Sequence, residues 1–222
     1  MIVQNFASDM LKSRGVGIFQ FQDLTEPEAR RLAEQSLELE RACYAGFQET
    51  QIQRDEFIEN PESYTSSYWI GASPEGPMYA YLLLEDHTEG DLEIEDLDEL
   101  NLPREALELV EEAFEDAPKI LYFRDICRMS RRDGLDRRTS AAVNIALREA
   151  YNNIFQNAPT GSVLYTEAAY RPDEKPEDAV ALRVFSRWSS EAGIKELFRI
   201  TAEDYYWQGD GSGAVLVAWC KM

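Results

Sequence analysis

The chain has 222 residues, 44% hydrophobic and 29% charged, the balance of a globular domain rather than a disordered one. Forty-two acidic side chains against 22 basic ones leave a net charge of −20, a field that repels DNA, RNA and anionic lipid and attracts basic proteins or polyamines. Three scattered cysteines (Cys43, Cys127, Cys220) and one histidine, His87, leave no material for a disulfide framework, a metal-ligand spacing or a His-based catalytic triad.

No segment approaches the roughly 20 apolar residues of a membrane span, and the first fifteen residues lack the apolar core of a signal peptide, so a cytoplasmic, membrane-free single domain over 1–222 is expected. Ser8 to Arg14 reads as a helical turn stopped by Gly15, and Gly17 to Gln22 alternates as a half-buried strand. Thr25-Glu-Pro-Glu28 is a capping box with proline in the first turn, opening a helix to about Phe47. Tyr68 to Ala72 and Met78 to Leu84 flank a Ser-Pro-Glu-Gly-Pro turn as two antiparallel strands.

Residues 85–116 then hold fifteen Asp or Glu against Arg104 alone, 14 of the 20 net negative charges. This acidic insertion, 85–118, contains an amphipathic helix with Leu107, Val110 and Phe114 on one side. Its charge is read as a solvated face, as a lip that attracts a cationic substrate, or as a surface toward a basic protein.

Lys119 to Arg128 is a β-rich run, followed by an Arg/Gly/Asp loop and a helix whose Val143, Leu147, Ala150 and Ile154 share a face. Residues 124–138 carry six arginines against three aspartates, a local +3 inside an acidic chain. A strand at Val163 to Ala169 follows, then a helix from about Asp178 to Ala192 with Ala181, Val184, Phe185 and Trp188 inward. Strands at Leu197 to Thr201 and Ala214 to Cys220 close the chain. The expected class is α/β (α+β), three layers with a mixed central sheet of about seven strands flanked by helices.

This order of elements is similar to the GNAT acyltransferase fold, in which a strand feeds a basic loop and a helix that hold the cofactor diphosphate. The resemblance covers nearly the whole chain apart from the acidic insertion. The GNAT loop pattern, Arg or Gln, two residues, Gly, one residue, then Gly or Ala, fits two registers. Arg131-Arg-Asp-Gly134-Leu-Asp136 has the glycine but ends in a carboxylate that opposes phosphate. Arg137-Arg-Thr-Ser140-Ala-Ala142 joins the helix directly, with serine in place of glycine, and is preferred.

The resemblance implies acetyl-CoA or another acyl-CoA as cofactor, held near Cys127, Met129, Arg131, Arg132, Gly134, Arg137, Arg138, Thr139, Ser140, Ala141 and Ala142. It implies transfer to a primary amine, with Arg128 and Tyr165 on the substrate side, and the acidic insertion points to a cationic acceptor. Asp125, in the strand before the loop, is a candidate base or anchor for an ammonium group. In many GNAT enzymes a tyrosine about four residues before a helix-ending glycine protonates the leaving thiolate; counting back from Gly193 reaches Ser189 instead. Tyr165, Tyr170, Tyr205 and Tyr206 are substitutes for it. Asp125-Ile-Cys127-Arg128 also resembles the Glu-x-Ser-Arg motif of acyl-homoserine-lactone and N-acyl amino acid synthases. A further alternative is a GNAT-fold interaction protein without catalysis that engages a basic partner through its acidic surface.

Overall fold

The structure, a computed structural model, describes residues 11–20, 23–43, 67–73, 75–88, 104–129, 134–170, 174–207 and 212–222. Its elements in chain order are β1 (Gly17–Gln20), α1 (Glu26–Cys43), β2 (Tyr68–Gly71), β3 (Met78–Asp86), α2 (Arg104–Glu115), β4 (Ile120–Arg128), α3 (Arg137–Asn157), β5 (Val163–Tyr170), a 3-10 turn (Pro176–Asp178), α4 (Val180–Glu191), β6 (Lys195–Trp207) and β7 (Ser212–Cys220). The strands form a seven-stranded sheet in the order β1-β2-β3-β4-β5-β7-β6, with β4 and β5 parallel and the pairs β1-β2, β2-β3, β5-β7 and β7-β6 antiparallel. The expected mixed sheet and its flanking helices are present. The ends of the first strand (21–22) and of the first helix (44–47) lie outside the described residues, as do Arg131 and Arg132. Among the described residues no helix is long and apolar enough to cross a membrane.

The chain divides into two compact units, one made of residues 1–84 and 125–153, the other of 85–124 and 154–222. In the first, the Glu28 half of the capping box forms: Glu28 Oε2 accepts from the Thr25 amide at 2.8 Å and also from its hydroxyl at 2.6 Å, and α1 starts at Glu26. Leu32 and Leu39 of α1 pack with Trp69, Met78, Tyr81, Leu83 and Cys127 in one apolar cluster. Polar groups set the docking angle. Trp69 Nε1 donates to Ser36 Oγ at 3.2 Å, and the Met78 amide donates to Gln35 Oε1 at 2.8 Å. Residues 80–84 of β3 are buried in succession, as happens where both faces of a strand are covered.

In the second unit the acidic stretch supplies a core helix. Ala106, Val110 and Phe114 of α2 pack on Ile120, Val163, Tyr165, Phe198, Leu216 and Ala218. Side chains alternate across a strand, so Trp219 points to the opposite face, where Phe185 of α4 meets it at 6.1 Å between ring centroids and meets Phe123 at 4.4 Å. The buried stripe of α4 is Leu182, Phe185 and Ser189; the expected Ala181, Val184 and Trp188 are only half-buried beside it. A helix with three apolar spacings in register allows such a rotation, and only the sheet beneath chooses among them.

Because α2 is a core element, truncating its buried edge is costly. Phe114→Ala is expected to lower unfolding stability by about 3–4 kcal/mol, whereas Leu109→Ala, at an exposed position of the same helix, should stay within about 0.5 kcal/mol. Denaturant unfolding of both variants checks this, and equal effects would place α2 on the surface.

Candidate functional site

The basic loop region is built on β4, its turn and α3. Inside β4, Cys127 is buried in the cluster beneath α1 and Met129 packs against the same cluster, so both side chains serve packing. The Met129 amide donates to the Tyr79 carbonyl at 2.7 Å. Arg128 is exposed, and its Nη1 donates to Asn144 Oδ1 on α3. Asp125 lies within β4, but its side chain is outside the described set, as are those of Tyr205 and Tyr206.

Gly134 has φ +94°, a conformation that L side chains rarely adopt, with open space around its α-carbon. Asp136 is the residue before α3 and caps it. Its Oδ1 accepts from the amides of Arg138 at 2.7 Å and Thr139 at 3.1 Å, and its Oδ2 accepts from the Thr139 hydroxyl at 2.5 Å. The Thr139 hydroxyl and amide, the Arg138 amide and the Arg138 charge hold the Asp136 carboxyl below its usual pKa.

These bonds bear on both loop registers. The preferred one, Arg137 to Ala142, falls inside the helix: Ser140 donates its amide to the Asp136 carbonyl at 2.9 Å, and Ser140 and Ala142 are buried. A helical amide already bonded within the helix cannot hold a phosphate. The left-handed Gly134, two residues before the cap, is the glycine of the other register, Arg131 to Asp136.

Arg137, Arg138, Ala141, Ala142 and Ile145 line one cleft of about 390 Å³ together with Arg14. Arg14 closes a short helical turn whose end is set by Gly15 at φ +63°, with Leu11 and Val16 buried on either side. Arg14 and Ile145 were not foreseen, because nothing local to residue 14 says that it packs near residue 137.

The second unit holds a separate polar cluster that reading along the chain did not foresee. Glu85 Oε2 lies 3.1 Å from His87 Nε2, and His87 Nδ1 lies 2.7 Å from the Tyr165 hydroxyl. Arg124 Nη1 donates to the other oxygen of Glu85. Burial opposes ionisation of Glu85, but the His87 hydrogen bond and the charge and hydrogen bond of Arg124 outweigh it, so its pKa falls below the ordinary carboxylate value. An ionised Glu85 accepts only, so His87 Nε2 carries the hydrogen of that bond, and in the neutral ring Nδ1 is then the acceptor of the Tyr165 O–H.

Tyr165 is 5% exposed, stacked on Tyr122 at 4.9 Å and in contact with Phe114 at 5.1 Å. It pairs with Tyr122 in the parallel ladder of β4 and β5; the next carbonyl along β4, that of Phe123, accepts from the Thr166 hydroxyl at 2.7 Å. Ser189 is 1% exposed, and its carbonyl accepts the amides of Ala192 and Ile194 that close α4 ahead of Gly193 at φ +72°.

No family model matches the sequence, and no curated protein matches it. The fold is similar to that of arylalkylamine N-acetyltransferase 2 from Aedes aegypti, with a TM-score of 0.50 at 14% identity over 93% of this chain and 98% of that one. It is also similar to a mosquito arylalkylamine N-acetyltransferase-like 5b, with a TM-score of 0.53 at 10% identity over 93% of this chain and 99% of that one. The chain thus has the fold of the GNAT-type N-acetyltransferases.

Two measurements test the Glu85-His87-Tyr165 arrangement. His87 is the only histidine of the chain, so its imidazole ¹⁵N shifts should report the Nε2–H tautomer without assignment; an Nδ1–H ring would contradict it. Glu85 has a depressed pKa in the fold, so its contribution to stability is present above the ordinary carboxylate range and disappears as pH falls through its folded pKa. Glu85→Gln should therefore cost most near neutral pH and progressively less in acid, as read by urea unfolding at a series of pH values.

Proposed function

We propose that this chain is an acyl-CoA-dependent N-acyltransferase that moves an acyl group to the primary amine of a cationic acceptor. The observation that carries the reading is the placement of Arg137 and Arg138 in the first turn of α3. Cations at a helix N-terminus oppose the helix dipole, so these two residues cost the helix stability where they stand. An anion in the adjoining cleft would offset that cost, and Arg14 adds a third guanidinium from a distant part of the sequence. In a chain of net charge −20, such a concentration of arginine suits a phosphorylated ligand.

The residues fit acyl-CoA through their side chains. Arg14, Arg137 and Arg138 would hold phosphate oxygens, and Ala141, Ala142 and Ile145 offer an apolar wall. The coenzyme, when bound, supplies the thioester carbonyl that an amine attacks. Asp125 would take the proton of the acceptor amine, directly or through a water. The exposed Glu105, Glu108, Glu111, Glu112 and Glu115 of α2 form an acidic face that would attract a cationic acceptor.

A second reading, a GNAT-fold binding protein without transfer activity, draws support from Asp136, which occupies two of the amides at the head of α3. It would use the acidic face of α2 toward a basic protein. Deleting the insertion would remove core contacts, so the fair test is to convert the five exposed glutamates of α2 to glutamine.

Titration calorimetry with acetyl-CoA is expected to show binding that weakens steeply with salt and falls at least about tenfold in the Arg137→Ala, Arg138→Ala double variant. Thiol release with an arylalkylamine and with a diamine then reports transfer. No heat at millimolar acetyl-CoA, or a double variant that titrates like the native chain, would remove the transferase reading.

A further inference from the structure

His87 is the only histidine of the chain, and its side chain, 27% exposed, is still within reach of solvent protons. On its own strand, Glu85 Oε2 lies 3.1 Å from Nε2, and Arg124 of β4 holds the other oxygen of that carboxylate. β5 presents the Tyr165 hydroxyl at 2.7 Å from Nδ1, with the half-buried Glu167 two residues further along the same face. The Tyr122 ring of β4 is 5.6 Å away. Asp86, on the opposite face of β3, is paired with Lys119 at 3.2 Å. The acidic side chains of α2 are exposed, and the helix meets Tyr165 through Phe114.

With neutral His87 the chain of bonds runs one way: Tyr165 donates to Nδ1, and Nε2–H donates to Glu85. A second proton can bind only Nδ1, since Nε2 already carries one. That nitrogen then becomes a donor facing another donor, and the phenol must turn its hydrogen away from it. We propose that protonation of His87 releases α2 from the sheet, by reversing the hydrogen bond that fixes the Tyr165 hydroxyl beneath the helix. The attraction gained by the charged ring lies between Glu85 and His87, two residues apart on β3, so it gives the helix no support. The loss falls on Tyr165, which is 5% exposed, stacks on Tyr122 at 4.9 Å and carries Phe114 at 5.1 Å. A buried hydroxyl turned from its acceptor shifts a local opening equilibrium by about fivefold to a hundredfold. Ala106, Val110 and Phe114 pack in one cluster with Tyr165, so the docking of α2 is the next contact to feel the change. The acidic face of α2 is therefore held firmly while His87 is neutral and loosely once it is charged, whether the chain transfers acyl groups or only binds a partner.

Hydrogen exchange of the full chain, expressed as protection factors so that the intrinsic pH dependence cancels, tests this coupling beside a ¹⁵N titration of the His87 ring. Protection of the Val110 and Phe114 amides is expected to fall about fivefold to a hundredfold as the imidazole gains its proton. Leu164 and Val217, in the β5-β7 ladder, should keep theirs. His87→Asn puts an uncharged amide near the place of Nδ1, and Tyr165→Phe removes the hydroxyl. In both variants α2 protection should stay level over the same range.

Protection of α2 that ignores the imidazole titration, or that follows the same curve in the variants, overturns the proposal. An equal loss in the β5-β7 ladder also overturns it, because the whole unit is then unfolding. So does a ring that fails to titrate between about pH 5 and pH 8. Should His87→Asn not fold, Tyr165→Phe alone decides: a level curve upholds the coupling and a native-like fall removes it.

Discussion

The rotation of α3 about its own axis governs the site. Ala142, Val143, Ala146, Leu147, Ala150, Tyr151 and Ile154 are all buried, and together they are worth far more than any polar contact the helix makes. With that stripe committed to the interior, geometry leaves Arg137, Ala141 and Ile145, spaced four apart, along an outward row. The arginine cleft is a by-product of apolar burial. Two arginines at the helix start would be misplaced in a helix free to choose its own electrostatics. Here the position of the helix is set elsewhere, and Asp136 softens the conflict.

The same ordering of magnitudes explains the acidic stretch around α2. Its charges look like the reason for its existence, yet Val110 and Phe114 tie it to the sheet and make it part of the second unit. Exposed glutamates on the outer face cost little, since water and salt screen them. A solvated face and a core helix are therefore the two sides of one element. Whatever its acidic surface attracts, that surface is held by a helix that the unit needs in order to fold.

Polar groups inside the second unit follow the rule that a buried donor or acceptor finds a partner. The Tyr165 hydroxyl, under the aromatic cover of Phe114 and Tyr122, is bonded by His87, and His87 by Glu85. Thr166 and Phe123 apply the same rule beside the last parallel rung of β4 and β5. The His87–Tyr165 and Thr166–Phe123 contacts join residues tens of positions apart in the chain, and neither has a local signature.

The sequence by itself determined the kinds of element and their order, because apolar periodicity, the Thr25-Glu28 capping box and the glycine stops are local and act within a few residues. It also located the basic turn against an acidic background, since charge can be counted along the chain. It left two loop registers open, because a capped helix start and a phosphate loop can be written with nearly the same residues and differ only in where the amides point. Tertiary structure alone decided that Arg14 joins Arg137 and Arg138, that His87 leaves its acidic run to meet Tyr165, and that Ser189 turns inward. Those outcomes depend on which faces of helices and strands are buried, a competition among long-range apolar contacts that no window of sequence contains.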